Sequence, residues 1–172
     1  MVVPSAGSDC SATLAGVSAP DVDVTFRVKT DETATGGSPA YVYATSRREG
    51  SNAYRPKLIF NTNGSIAVHA SRLVNGSETA LAPPVVVPGL SHAADAFIWV
   101  RASVTGTDPT TVRVKAWADG SNQPALWLFE ATDSTPALQA AGSVGLHAYL
   151  GSASYSVPLL FSFDDYVVVA PD

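Results

Sequence analysis

The chain has 172 residues, which suits one domain with a full core and leaves little room for two. Charged residues make up 15% of it and the formal net charge is −5, with ten scattered Lys and Arg, so the clustered basic footprint of a nucleic-acid-binding protein is excluded. A single cysteine, Cys10, excludes an internal disulfide and a cysteine-built zinc site, and no run of about 18 apolar residues marks a membrane span.

The 13 glycines and 12 prolines suit many short strands joined by tight turns. The opening MVVPSAGSDCSATLAG lacks a basic segment followed by an apolar one, so export is expected to depend on a leader outside this chain or on a larger assembly. In chain order, the first clear element is DVDVTFRVK: Val22, Val24, Phe26 and Val28 share one face, with Asp21, Asp23, Thr25, Arg27 and Lys29 on the other. Next, YVYATSRREGSNAYRPKLIF interleaves three tyrosines and three arginines with strand-forming residues. KLIFNTNGSIAVHA predicts a hairpin across Thr62 to Ser65, and Asn75-Gly76 marks a second tight turn. The period of two returns in FIWVRASV, where Ile98, Val100, Ala102 and Val104 oppose Phe97, Trp99 and Arg101. It returns again in TTVRVKAWA, where Val112, Val114 and Ala116 oppose Arg113, Lys115 and Trp117, before the turn signal Asp119-Gly120. These segments predict strands with one wet face. The best helical candidate, residues 134–142, allows about two turns. Ten to twelve strands in one all-β domain of residues 1–172 predict an antiparallel two-sheet β-sandwich.

The order ATLAGVSAPDVDVTFRV, YRPKLIFNTNGSIAV with SRLVNGSETAL, WADGSNQPALWLFEATDSTPALQAAGSVGLHAYLGSAS and VPLLFSFDDYVVV resembles modules of the concanavalin A-like, laminin G-like jelly-roll class. Such modules are appended to secreted actinobacterial glycan-active and surface proteins and occur in phage tail proteins. The resemblance runs from about Ala12 to Val169 and implies a jelly roll with a concave face, a sugar-binding or adhesive role, and an extracellular, cell-surface or virion location. Such modules usually begin with an earlier strand that this chain starts after. The exposed edge is therefore expected to be closed by residues 1–10 as an extended arm or by a neighbouring chain.

Flat aromatic rings that cover sugar C–H faces and planar donors such as Arg are the residue types that recognise carbohydrate. Tyr43 and Arg47 on one strand and Tyr54 on the next are placed to converge beside His147 and Tyr149, with Arg55 or Lys57 as further donors. Alternation prevents all of them from sharing one site, and exposed Tyr and Arg also arise from cross-strand pairing alone. Trp99 and Trp117 fall on the polar side of their strands, as a ligand platform or as residues packed beneath a loop; Trp127 completes the set. For Asp164 and Asp165 the resemblance implies ligation of a structural calcium ion, and hydrogen-bonded structural carboxylates are the alternative. The broken alternation around them predicts a bulge. Catalysis is not expected, because no strand carries the acidic motif of related glucanases, and His69, His92 and His147 lack metal-ligand spacing. The reading is a non-catalytic module whose partner is a glycan or polysaccharide. The competing reading is a phage decoration, tail or surface-filament subunit that forms a homo-oligomer or larger assembly by sharing strands.

Overall fold

A computed structural model describes residues 1–14 and 16–171. The strands among them are β1 (Val2–Val3), β2 (Asp9–Thr13), β3 (Val22–Thr30), β4 (Ala40–Glu49), β5 (Asn52–Phe60), β6 (Ser65–Val74) and β7 (Ser77–Ala80). They continue as β8 (Val85–Ser91), β9 (Ile98–Thr105), β10 (Thr110–Ala118), β11 (Phe129–Asp133), β12 (Ser143–Leu150) and β13 (Leu159–Val169). All pair antiparallel in two sheets. The first runs β1-β13-β3-β9-β10-β11 and the second β2-β12-β4-β5-β6-β7, with β8 also on β6. The two sheets make a jelly-roll sandwich. Residues 1–13 supply an outer strand to each sheet: β1 lies against β13, and β2 against β12.

The core forms where the alternating apolar faces meet. Val22, Val24, Phe26, Val28, Ile98, Val100, Val104, Val112 and Val114 of the first sheet face Val42, Leu58, Phe60, Ile66, Val68, Leu146 and Leu150 of the second. Burying each such side chain contributes about 1.5–3 kcal/mol relative to exposure. Turn chemistry fixes the register. In the β5–β6 loop the Gly64 amide donates to Asn61 O at 3.0 Å and Gly64 takes φ +80°, so the reversal occupies Asn61 to Gly64, one residue earlier than expected. Asn75 and Gly76 both have positive φ and join Val74 directly to Ser77, the two-residue turn whose twist matches paired strands.

Three local expectations change. The helical candidate reduces to a single 3-10 turn at Pro136–Leu138, since proline and small residues leave too short a run to propagate. The polar side of β10 is only partly wet: the Lys115 ammonium donates to Pro124 O at 2.7 Å and Trp117 is buried, while Arg113 stays partly exposed and pairs with Glu130. The expected common face of Tyr43 and Arg47 is broken by a bulge in β4 between Ser46 and Glu49, where Arg47 takes φ +49° and turns into the sandwich.

Candidate functional site

The outer face of the second sheet carries the candidate site. Register places Tyr43 between His147 on β12 and Lys57 on β5, and Tyr149 between Tyr41 on β4 and Asp9 on β2. Because side chains alternate across a pleated strand, Tyr41, Tyr43, Arg55, Lys57, His147 and Tyr149 all project from this face. Their rings are in contact: Tyr41 lies 6.2 Å from Tyr43 and 5.8 Å from Tyr149 between centroids, and Tyr43 lies 4.9 Å from His147. The Arg55 guanidinium sits 3.9 Å above the Tyr43 ring, a cation–π contact, and donates through Nη1 to Glu78 Oε2 and through Nη2 to His147 Nδ1, each at 2.7 Å. Lys57 and the Ser71 hydroxyl both donate to Glu78 Oε1. These groups border an open groove of about 330 Å³ lined by Asp9, Tyr43, Arg55, Glu78, His147 and Tyr149.

The electrostatics follow from partial burial. Burial works against the Glu78 carboxylate, but hydrogen bonds from Lys57 and Ser71 and the charges of Lys57 and Arg55 outweigh it and hold its pKa below the usual range. Burial lowers the Lys57 ammonium, partly offset by Glu78. Burial and the neighbouring Arg55 charge push His147 down to about 4, so the ring is neutral at physiological pH. The site therefore offers fixed donors, one pinned carboxylate and partly exposed tyrosine rings.

Of the residues expected to bind ligand, the structure brings together Tyr43, Arg55, His147 and Tyr149. Tyr43 is the floor: it is 4% exposed with Arg55 over its face, so the rings open to a ligand are Tyr149 and Tyr41. Arg47 and Tyr54 are not on this face. Arg47 is 2% exposed and donates to Pro20 O, Thr110 Oγ1 (2.7 Å), Leu138 O (3.1 Å) and Gly106 O (2.6 Å), and it pairs with Asp21. Tyr54 is fully buried, and its hydroxyl, pushed up to about 12 by burial, donates to Asp133 Oδ2 at 2.9 Å. Trp117 lies on the other sheet, stacked on Trp99 at 6.0 Å with the planes 5° apart. It lines a cleft of about 470 Å³ between β8 and β10, with Val87, Leu90, Leu126, Trp127 and Leu128. That cleft is larger but mostly apolar, with its one ammonium occupied by Pro124 O, so it offers no charged group free to orient a hydroxylated ligand.

Asp164 and Asp165 sit at the expected bulge in β13, where register shifts between Asp164 and Val167 and Asp165 takes φ +53°. Both carboxylates are turned to Arg27: Asp164 Oδ2 is 2.8 Å from Nη2 and Asp165 Oδ2 is 2.9 Å from Nε. Among the described residues no group of three or more acidic, His or Cys side chains gathers there or elsewhere. A pair of carboxylates neutralised by a guanidinium within 3 Å is the structural alternative and does not fit a calcium ion, which needs six to eight oxygens and is repelled by the arginine.

Sequence reasoning missed Glu78, Asp9 and Tyr41. Glu78 was legible in principle: the Asn75-Gly76 turn pairs Leu73 with Glu78, which places Glu78 on the face of Ser71, itself opposite Arg55.

No family model and no curated protein sequence matches the chain. Solved structures share its fold at about one residue in ten. The CBM2 module of the evolved Dit of Lactobacillus casei BL23 phage J-1 superposes with a TM-score of 0.55 and 10% identity, over 93% of this chain and 68% of that one. A xylan β-1,4-xylosidase from Bacillus halodurans C-125 gives 0.52 and 10%, over 87% of this chain and 28% of the enzyme. A homodimeric agglutinin from chicken liver gives 0.50 and 10%, over 94% and 100%. The chain thus spans 28% of the length of this xylosidase and of a GH43 protein from Bacillus licheniformis that it also matches. At these identities the likeness establishes the jelly-roll sandwich.

Proposed function

We propose that the chain is a non-catalytic carbohydrate-binding or adhesion module, carried outside the cell by a secreted or surface protein or on a virion. The observation that carries this reading is the convergence of Tyr149, Arg55, Glu78 and His147 around one groove on the outer sheet face, with Tyr41 packed against Tyr149 and Lys57 holding Glu78. A sugar ring lays its C–H face on Tyr149 and Tyr41, and its hydroxyls exchange hydrogen bonds with the Arg55 guanidinium and the Glu78 carboxylate, whose own contacts hold them in place. Glycoside cleavage needs a carboxylic acid that keeps its proton near neutral pH; Glu78 is held in the opposite state by Lys57 and Arg55. The presence of a phage CBM2 module and an agglutinin among the fold neighbours agrees with this reading.

The test is retention on a broad panel of immobilised polysaccharides. The wild type is expected to be held by a subset of them, and Tyr149→Ala or Arg55→Ala to lose about 10-fold or more in affinity while remaining folded. Unchanged retention in both folded variants would overturn the site. A second reading, an assembly subunit, is favoured by the apolar cleft beside Trp117, where Leu126 is 82% exposed. It requires a defined oligomer by light scattering and no retention on any polysaccharide.

A further inference from the structure

The groove adjoins a smaller pocket of about 110 Å³, bordered by Asp9, Ser11, Thr45, Arg48, Arg55 and His147. Its chemistry is biased toward donors. Arginine can only donate, so the 2.7 Å contact from Arg55 Nη2 makes His147 Nδ1 the acceptor and leaves the ring proton on Nε2. That Nε2–H is buried with no hydrogen-bond partner; Asp9 Oδ2, 3.3 Å away, is not aligned with it. Arg48, exposed at the end of β4, makes no ion pair among the described residues. Arg55 and Lys57 share Glu78 on the groove side, so the charges facing the pocket are Arg48 and Arg55 against Asp9 alone. Two guanidinium groups, an unsatisfied imidazole N–H and the hydroxyl-bearing Ser11 and Thr45 thus border a space several water volumes in size, in a chain of net charge −5.

We infer that this pocket receives the carboxylate of an acidic sugar, so that the preferred ligand is a uronic-acid-containing glycan whose ring lies in the larger groove beside Tyr149. The inference rests on the glycan-binding reading and adds its chemical class. The carboxylate accepts from Arg48 and Arg55 in the charge-assisted geometry that guanidinium groups provide, and from His147 Nε2. Asp9 opposes it, and its side chain, 57% exposed, is free to turn toward solvent.

The experiment compares, by calorimetric titration, an oligouronate with the same oligosaccharide after its carboxylates have been reduced to primary alcohols. The oligouronate is expected to bind at least about 10-fold tighter, Arg48→Gln to close most of that gap, and Asp9→Asn to widen it about threefold. Raising the salt concentration should weaken the oligouronate selectively, as it does for ion-pair recognition. Equal binding of the two forms would overturn the acidic-sugar assignment and leave the glycan reading standing. Binding of neither, with none on the polysaccharide panel, would remove both. Equal binding of poly-glutamate would make the pocket a carboxylate site without sugar recognition and would also overturn the assignment.

Discussion

Arg47 and Arg55 have the same side chain and opposite fates. Arg55 lies on a regular stretch of β5, keeps the outward position that alternation gives it, and faces the groove. Arg47 lies at a bulge, points inward, and spends its donors on backbone carbonyls of Pro20, Gly106 and Leu138, tying the β4 end to three loops. Burial lowers its pKa, with Asp21 acting against the shift, and these bonds are what make a buried guanidinium tolerable. Replacing it by a side chain of similar length without donors leaves several buried acceptors unpaired. Arg47→Met is therefore expected to cost about 3 kcal/mol, read as a lower urea midpoint at unchanged slope, while a correctly folded fraction keeps its ligand affinity. An unchanged midpoint would mean that the cluster carries no stability.

At the scale of elements, legibility followed regularity. β3, β9 and β10 alternate without interruption, and every apolar residue assigned to the inner face of these strands is buried. Of the two bulges, in β4 and β13, only the one in β4 displaces the expected face, because an inserted residue reverses the side chains beyond it. The β13 bulge was visible in SFDDYVVV as broken alternation; the one in ATSRREG was not, because Ser, Arg and Glu suit either face. The covering of Lys115 and Trp117 by residues 119–128 was also hidden, since an irregular loop has no period to read. The candidate site was half legible for the same reason. Tyr43, Arg55, His147 and Tyr149 sit on regular strands, whereas Arg47, Tyr54 and Trp117 were assigned without knowledge of a bulge, a sheet face or a loop.

For the whole molecule, two neutral histidines couple the fold to pH. His92 is buried against Phe60 at 4.4 Å; the Ala34 amide donates to its Nδ1, so Nε2–H faces Thr30 Oγ1, and burial lowers its pKa to about 4. His147 is lowered equally far. In the unfolded chain both titrate near 6.5, so between about pH 6.5 and 4 the unfolded state binds more protons and stability falls as pH falls. Each histidine contributes a slope of about 1.4 kcal/mol per pH unit in that window, and unfolding at pH 5 is expected to be easier than at pH 7 by about 4 kcal/mol. Equal urea midpoints at the two pH values would contradict this.

The same architecture separates the polar groove and its adjoining pocket on the second sheet from the apolar cleft beside Trp117 between β8 and β10, and the ligand is assigned to the second sheet. The most direct measurement is backbone and side-chain NMR shift mapping during titration with oligosaccharides from whichever polysaccharide retains the protein. The account predicts shifts concentrated at Tyr41, Arg55, Glu78, His147 and Tyr149, with the indole signals of Trp117 and Trp127 unmoved. Shifts confined to the two indoles and Leu126, or no shifts with any oligosaccharide, would contradict it.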